Sequence, residues 1–474
     1  MEFHHALPLT ASIEVADPLA AVRAIAHLPY PFLLHSSIES EGSRWSFFGA
    51  DPFAAFRGDH YDEAVELWRQ LSEQIRKSDP SPTVVPFTGG AVGYWSYDFG
   101  RRFERLPEQS VDDLGLPDAL LGFYDVIGAY DHSTRQAWLF SSGLPLQREL
   151  RVARAEQRLV QFQHLFGAGR RPRGWLPTAR QQSVTPTCTF THDGYLRAVE
   201  RVQEHIRSGD LFQANLSQRW TVPCDGDPTL MALAMHDALS LVSPAPYAGF
   251  FANKDHAIVS ASPERFLECR DLRVETRPIK GTRPRGADRA EDQRLRRELL
   301  DSAKDRAENV MIVDVLRNDL GRVSEIGTVE VQKLCELESF PQVHHLVSTI
   351  TSELREDLDA FDLLHACFPG GSITGAPKIR AMEILDGLEP VRRHIYTGCL
   401  GYVDWSGDAD WNIAIRTALV TPTAVHFSAG GGITAESDPE AEYQETLDKA
   451  EGLRRALERV VGPIVLAPSL ASVR

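Results

Sequence analysis

Three strand-like runs, at 397–403, 410–420 and 424–429, follow one another with no helix between them. A doubly wound parallel sheet needs a crossover, usually a helix, between successive strands, so this stretch suits antiparallel pairing instead. Further strand-like runs stand at 212–222, 257–260, 266–270 and 327–335. Helical patterns lie at 192–208, across the long stretch 289–323, and at 440–461. The mix predicts an α+β fold with large antiparallel sheets and flanking helices. There is no internal repeat and no low-complexity tract.

The first third of the chain reads differently. Residues 61–77 form an amphipathic helix with Ala64, Leu67, Trp68, Leu71 and Ile75 on one side, and 147–165 form a second, arginine-rich one. Gly89-Gly90-Ala91-Val92-Gly93-Tyr94 reads as a tight turn feeding a buried strand. At 167–187 the periodicity breaks, around Arg170-Arg171-Pro172-Arg173-Gly174. With 474 residues, more than one average core, we divide the chain into an N-terminal α/β region (1–166), a linker (167–190), a catalytic region (191–462) and a tail (463–474).

The composition, 43% hydrophobic and 24% charged, is that of an ordinary globular protein. A net charge of −16 argues against nucleic acid as a partner, which needs a basic face. An acidic protein binds an anionic substrate only through a local positive site or a metal ion. Met1-Glu2-Phe3-His4-His5 has neither a basic region nor an apolar core, so no secretory signal is expected. No apolar run approaches the roughly 20 residues of a membrane span. The six cysteines are scattered singly, which reads as reduced thiols in a cytoplasmic protein. None sits in the Gly-x-Cys-x-Gly context of a glutamine amidotransferase nucleophile.

Several segments carry side chains suited to chemistry. In Arg277-Pro278-Ile279-Lys280-Gly281-Thr282 a strand end turns into a loop at Lys280. That lysine is either solvated or, if withdrawn from water, a nucleophile with a depressed pKa. Asp305 and Glu308 lie i, i+3 on one helix, and Glu442, Glu445 and Lys449 share a face of another. Carboxylates from two helices make a hard oxygen site suited to Mg²⁺, although acidic pairs are also common on solvated faces, and Glu445–Lys449 makes a favourable i, i+4 ion pair. Gly430-Gly431-Gly432 reads as a turn whose backbone N–H groups are free for an oxyanion. Gly370-Gly371-Ser372-Ile373-Thr374-Gly375-Ala376-Pro377-Lys378 offers similar donors ahead of a helix at 379–385, without the Gly-Lys-Ser/Thr order of a P-loop. Arg416 sits in an apolar strand and needs a carboxylate partner there. Of the adjacent His344 and His345, one must point inward if the segment is a strand.

Taken together and in order, these segments resemble the chorismate-utilising family of anthranilate, isochorismate, salicylate and aminodeoxychorismate synthases, over nearly all of 191–455. Pro278-Ile279-Lys280-Gly281-Thr282 is similar to the signature of the aminodeoxychorismate synthase branch; the sister anthranilate synthases carry alanine where Lys280 stands. The resemblance implies Lys280 as nucleophile and Glu264, in Ser262-Pro263-Glu264-Arg265-Phe266, as general acid or base. It implies substrate contacts at Gly281, Thr282, His345, Tyr396, Arg416, Gly430, Gly431, Gly432 and Lys449. It further implies Mg²⁺ as cofactor, held directly by Glu308 and Glu445 and through water by Asp305 and Glu442. The expected reaction is amination of chorismate at C4, in the 4-aminobenzoate branch of folate biosynthesis, with ammonia from a separate glutamine amidotransferase subunit. Amination at C2 with loss of pyruvate is the rival within the family; a non-catalytic tryptophan-binding subunit is the rival outside catalysis. Leu33-Leu34-His35-Ser36 and Tyr94 match the family more loosely, in a region that binds tryptophan in relatives.

Overall fold

Two antiparallel sheets lie face to face, each backed by helices on its outer side. The computed structural model describes residues 7–38, 44–78, 84–167, 184–340 and 343–464. Most of the linker, 168–183, and the end of the tail, 465–474, lie outside them. Among the described residues the first sheet has 12 strands and the second has 10. Every strand pairing in both is antiparallel.

Each sheet draws strands from both parts of the chain. In the first, Phe32–His35 pairs with Tyr247–Ala252; in the second, Gly90–Trp95 pairs with Cys399–Asp404. The division at 167–190 therefore falls between stretches of sequence that share both sheets. Between the sheets lies an aromatic core in which Phe47 packs edge-on against Tyr402, with ring centroids 5.6 Å apart. The outer face of the first sheet is covered by helices Pro18–Ile25, Arg148–Gly167, Pro228–Val242 and Pro439–Val461. Tyr61–Ser78, Ala303–Gly321 and Ala360–Cys367 cover the second. Strands covered on both faces are buried throughout, as Gly90–Trp95 and Cys399–Asp404 are.

Three details depart from the sequence reading, each for a local reason. The stretch 289–323 is two helices, Arg289–Asp301 and Ala303–Gly321, because Ser302 leaves the helical conformation and caps the second by accepting from the Asp305 amide at 3.2 Å. The run 410–420 is two strands, Ala409–Ile413 and Thr417–Val420, which belong to different sheets. The glycines 430–432 make no turn: they continue the strand Ala424–Ile433, paired with Ser217, Leu216 and Asn215.

Candidate active site

The chain crosses between the sheets twice at one place, and these crossings begin the site. Ala257–Ser262 lies in the first sheet and Arg265–Arg270 in the second, so Glu264 sits on the link. Ala409–Ile413 and Thr417–Val420 make the opposite crossing, with Arg416 on the link in a left-handed conformation at φ 49°. The two links are stitched together: the Ile413 amide donates to the Glu264 carbonyl, and the Ala261 amide to that of Arg416, both at 3.0 Å. Antiparallel pairing thus delivers an acid and a cation to one seam.

Glu264 is buried, and its Oε1 accepts from the Ser372 hydroxyl at 2.6 Å. Burial pushes its carboxyl up to about 7, against the opposing pull of Ser372 and Lys280. Lys280 lies half-buried on the strand Ile279–Pro284. Burial lowers its pKa, a tendency that Glu308 opposes and Lys449 reinforces. Beside it Gly281, at φ 83°, forms a bulge against the strand Val343–Glu353. A Cβ there would stand 2.9 Å from the Asp305 side chain, so only glycine lets the strand lie so close to the helix Ala303–Gly321.

Thr282 is exposed, and its hydroxyl shares a hydrogen bond of 2.9 Å with His345 Nδ1. Burial, with the Arg416 charge nearby, drives the His345 imidazole down to about 3, so it is neutral. His344 is buried as well as His345, since both faces of its strand are covered; it meets Asp292 at 2.9 Å and Ser339 at 2.8 Å. The Arg416 guanidinium has neither hydrogen bond nor ion pair among the described residues, contrary to the carboxylate partner expected from sequence, and burial lowers its pKa. Its position on a bent link, not within a strand, leaves its guanidinium without a neighbouring acid.

The acidic half of the site comes from two helices. Glu308 and Glu442 are both withdrawn from water, which raises both pKa values. Glu442 Oε1 accepts from Ser437 at 2.6 Å, whereas its Oε2 is buried with no hydrogen-bond partner. The missing side chain of Gly431 makes the space: a Cβ there would lie 2.7 Å from that Oε2. Glu445 is bound to Lys449 at 2.6 Å, and Lys449 also donates to the Gly430 carbonyl at 3.0 Å. Burial acts to raise the Glu445 pKa, but Lys449, Lys304 and Lys280 together outweigh it and the net shift is downward. Asp305 accepts an ion pair from Arg283 at 3.2 Å. Among the described residues no group of three or more ligating side chains stands preassembled for a metal. The donor set still fits a hard cation: carboxylate oxygens from two helices, one of them orphaned, with Lys304 Nζ lying 3.9 Å from both Glu308 and Glu442.

Tyr396 is buried, with its hydroxyl pushed up to about 12 by burial. Sequence reasoning missed Ser372 and Lys304. The segment 370–378 was read for its backbone donors alone, yet the contact it makes with Glu264 is the Ser372 hydroxyl, on the short 3₁₀ turn Gly371–Ile373. Lys304 precedes the Asp305/Glu308 pair by one residue, and its i, i+4 spacing to Glu308 was the available signal.

Two large antiparallel sheets with outer helices are the architecture of solved chorismate-utilising enzymes: anthranilate synthase component I from Streptococcus pneumoniae superposes with a TM-score of 0.73 at 30% identity, covering 88% of this chain and 93% of that one. The chain belongs to the chorismate binding enzyme family, whose sequence profile matches residues 30–455. It is 41% identical over 457 residues to aminodeoxychorismate synthase component 1 of Escherichia coli K12, covering 92% of this chain and 95% of the relative. It is 40% identical over 465 residues to anthranilate synthase component 1 of Thermus thermophilus, covering 95% of each.

Proposed function

We propose that this chorismate-utilising enzyme is the first component of an aminodeoxychorismate synthase, making 4-amino-4-deoxychorismate from chorismate and ammonia. Overall identity does not separate this from anthranilate synthesis, because relatives of both kinds are about equally similar. The observation that carries the reading is Lys280, an amine half-withdrawn from water at a glycine bulge, with burial lowering its pKa and Glu264 and Glu308 nearby.

In this reading the Lys280 amine adds to ring C2, both ring double bonds shift round the ring, and the C4–O bond breaks. Glu264, protonated below about pH 7, gives its proton to the departing hydroxyl, which leaves as water. Ammonia then forms the C4–N bond as the double bonds shift back and the C2–N bond to Lys280 breaks, returning the amine; the added nitrogen gives up a proton that restores the Glu264 carboxyl. Ser372 orients Glu264 through the 2.6 Å hydrogen bond. Arg416, lacking a protein partner, is free to take a substrate carboxylate. Glu308 and Glu445 would hold Mg²⁺ directly and Asp305 and Glu442 through water, the ion supplying positive charge opposite the ring carboxylate. The Lys449 ammonium would release Glu445 for that role.

The amine source in this reading is a glutamine amidotransferase subunit, a role that the name "component 1" of the relatives supports. Tryptophan is proposed for the cleft between the sheets lined by Leu34, Ser36, Pro246 and Tyr247, where the Ser36 hydroxyl donates to the Pro246 carbonyl at 2.8 Å. No helix among the described residues is long and apolar enough to cross a membrane. The deciding experiment is mass spectrometry of products from chorismate, Mg²⁺ and an ammonium salt, with wild type and Lys280→Ala. Wild type is expected to yield aminodeoxychorismate without pyruvate, and the variant to lose it. Pyruvate with anthranilate from wild type, or undiminished aminodeoxychorismate from the variant, would refute the reading.

A further inference from the structure

A buried donor beside the seam has nothing to donate to. Asn215, on the strand Gln213–Pro223, is 8% exposed, and its Nδ2 has no hydrogen-bond partner among the described residues. The rest of the residue is fixed. Its amide donates to the Thr374 carbonyl at 2.9 Å, two positions after the Ser372 that holds Glu264, and its carbonyl accepts from Arg393. A buried amide N–H left unpaired weakens the fold, so its presence next to a site calls for an acceptor from outside the chain.

The strands around it show where that acceptor lies. The Asn215 amide turns to Thr374 and the Ser217 amide to Glu389, at 2.8 Å, so both turn away from the strand Ala424–Ile433. Asn215 and Gly432 are therefore a non-hydrogen-bonded pair, and the Gly432 amide faces the opposite edge of its own strand. That edge is open: Thr417–Val420 pairs only with residues 425–427 before the chain leaves at the Arg416 bend. The Gln213 carboxamide takes the space over Gly432, and its Oε1 is also unpartnered, so neither amide satisfies the other. Asn215 lies instead beside Tyr396. Burial raises the Tyr396 pKa and Asn215 opposes the rise, without reaching hydrogen-bond geometry. Tyr396 is in turn tied to the Arg416 link, since the next residue, Thr397, donates its amide to the Ala414 carbonyl at 2.9 Å. Thr397 has φ 63°, a left-handed conformation that β-branched residues rarely take.

We infer that Asn215 is a substrate-binding residue whose Nδ2 donates to the same chorismate carboxylate as Arg416, an inference that rests on the role given to Arg416 above. The ring carboxylate faces the proposed Mg²⁺ and the C4 hydroxyl faces Glu264, which leaves the side-chain carboxylate as the strong acceptor for this donor. A carboxylate has about four lone-pair sites, and a guanidinium fork fills two. Once buried, the others need donors, which the Tyr396 hydroxyl and the Asn215 amide supply. A neutral amide does so without placing a second cation beside Arg416.

The test compares wild type, Asn215→Leu, Asn215→Asp and Arg416→Met in thermal melting and in turnover with Mg²⁺ and an ammonium salt. KM and kcat are read from chorismate consumption, whichever product forms. Asn215→Leu keeps the size and removes the donor. It is expected to raise KM about 10-fold, the effect of one hydrogen bond to a charged group, with kcat nearly unchanged and melting equal or higher. Asn215→Asp sets one carboxylate against another and is expected to lower kcat/KM about 100-fold. A wild-type KM in Asn215→Leu would overturn the inference. So would a loss confined to kcat, or a fall in melting that accompanies the loss of activity and marks Asn215 as structural. A wild-type kcat/KM in Arg416→Met would instead remove the carboxylate assignment on which the inference rests.

Discussion

Arg393 and Arg416 stand on either side of the Cys399–Ile413 hairpin, and the chain treats them in opposite ways. Arg393 is saturated: it meets both oxygens of Glu389 at 2.7 Å, donates to the carbonyls of Ile373 and Asn215 and to the Thr397 hydroxyl, and lies 4.6 Å over the Tyr97 ring. Burial works against its charge, but Glu389 outweighs that and holds its pKa above the ordinary value. The Arg416 guanidinium has no partner among the described residues, and burial alone lowers its pKa. A half-buried cation left unpaired gives the fold nothing in return for its partial loss of water, whereas a buried one that is fully hydrogen-bonded fixes it. In the proposed function the difference separates a structural charge from one left free for a substrate carboxylate.

The largest effect is expected where the charge is already satisfied. Arg393→Met strands the Glu389 carboxylate, which stays buried with only the Ser217 amide and hydroxyl for company. Breaking a buried pair from one side costs ~3–5 kcal/mol, so urea unfolding should register a loss of that size. A cost no larger than that of an exposed ion pair would break the comparison.

Arg416→Met should do the reverse. No partner is stranded, so the urea midpoint should hold or rise. The kcat/KM for chorismate should fall about 100-fold, the equivalent of two hydrogen bonds to a carboxylate at ~1.5 kcal/mol each. A variant that loses stability and keeps its kcat/KM would assign Arg416 to the fold.

How much of this was legible in the sequence depends on which distances the chain itself sets. The helix Pro439–Val461 was readable to within a residue or so, because Glu442, Glu445 and Lys449 keep their spacing wherever the helix lies. The antiparallel class was readable from successive strands, and the structure bears it out. The change of sheet at Arg416 was not, since an apolar run carries no mark of a bend, and Arg416 itself was the one residue out of place there. Ser302 was missed as a cap because its neighbours on both sides are helical in pattern. Gly430–Gly432 were misread as a turn because glycine weakens strand propensity. Their reason is close approach: Gln213, about 220 positions earlier in sequence, lies against Gly432, and the Glu442 carboxylate, 11 positions later, lies against Gly431.

Glu264 sharpens the same contrast through pH. Its carboxyl is pushed from the ordinary 4.5 up to about 7, so the folded protein holds the proton that the unfolded chain would release. The associated stability is fully present below about 4.5 and is lost as pH rises through about 7. If Glu264 is the acid, kcat/KM for chorismate should decline above about pH 7 when measured at constant free NH₃, and Ser372→Ala, which removes a hydrogen bond favouring the carboxylate, should move that limb upward. A limb unmoved by Ser372→Ala would detach the pH dependence from Glu264.

The smallest expected effect concerns Lys304, an ammonium that half-fills the role of a cation between the two acidic helices. It is about half exposed, with 51% of its side chain open, and stands 3.9 Å from Glu308 Oε1 and from Glu442 Oε1. At that exposure and separation each ion pair is worth only ~0–1 kcal/mol. Lys304→Met should therefore lower the melting temperature of the metal-free protein slightly, because three carboxylates (Glu308, Glu442 and Glu445) then lose a shared positive neighbour. Added Mg²⁺ should restore the loss and raise melting by a larger increment than in wild type, since the ion meets the carboxylates without competition from the lysine. Equal increments in the two proteins would show that the ammonium and the ion do not share a site, and would move the proposed Mg²⁺ away from the space between Glu308 and Glu442.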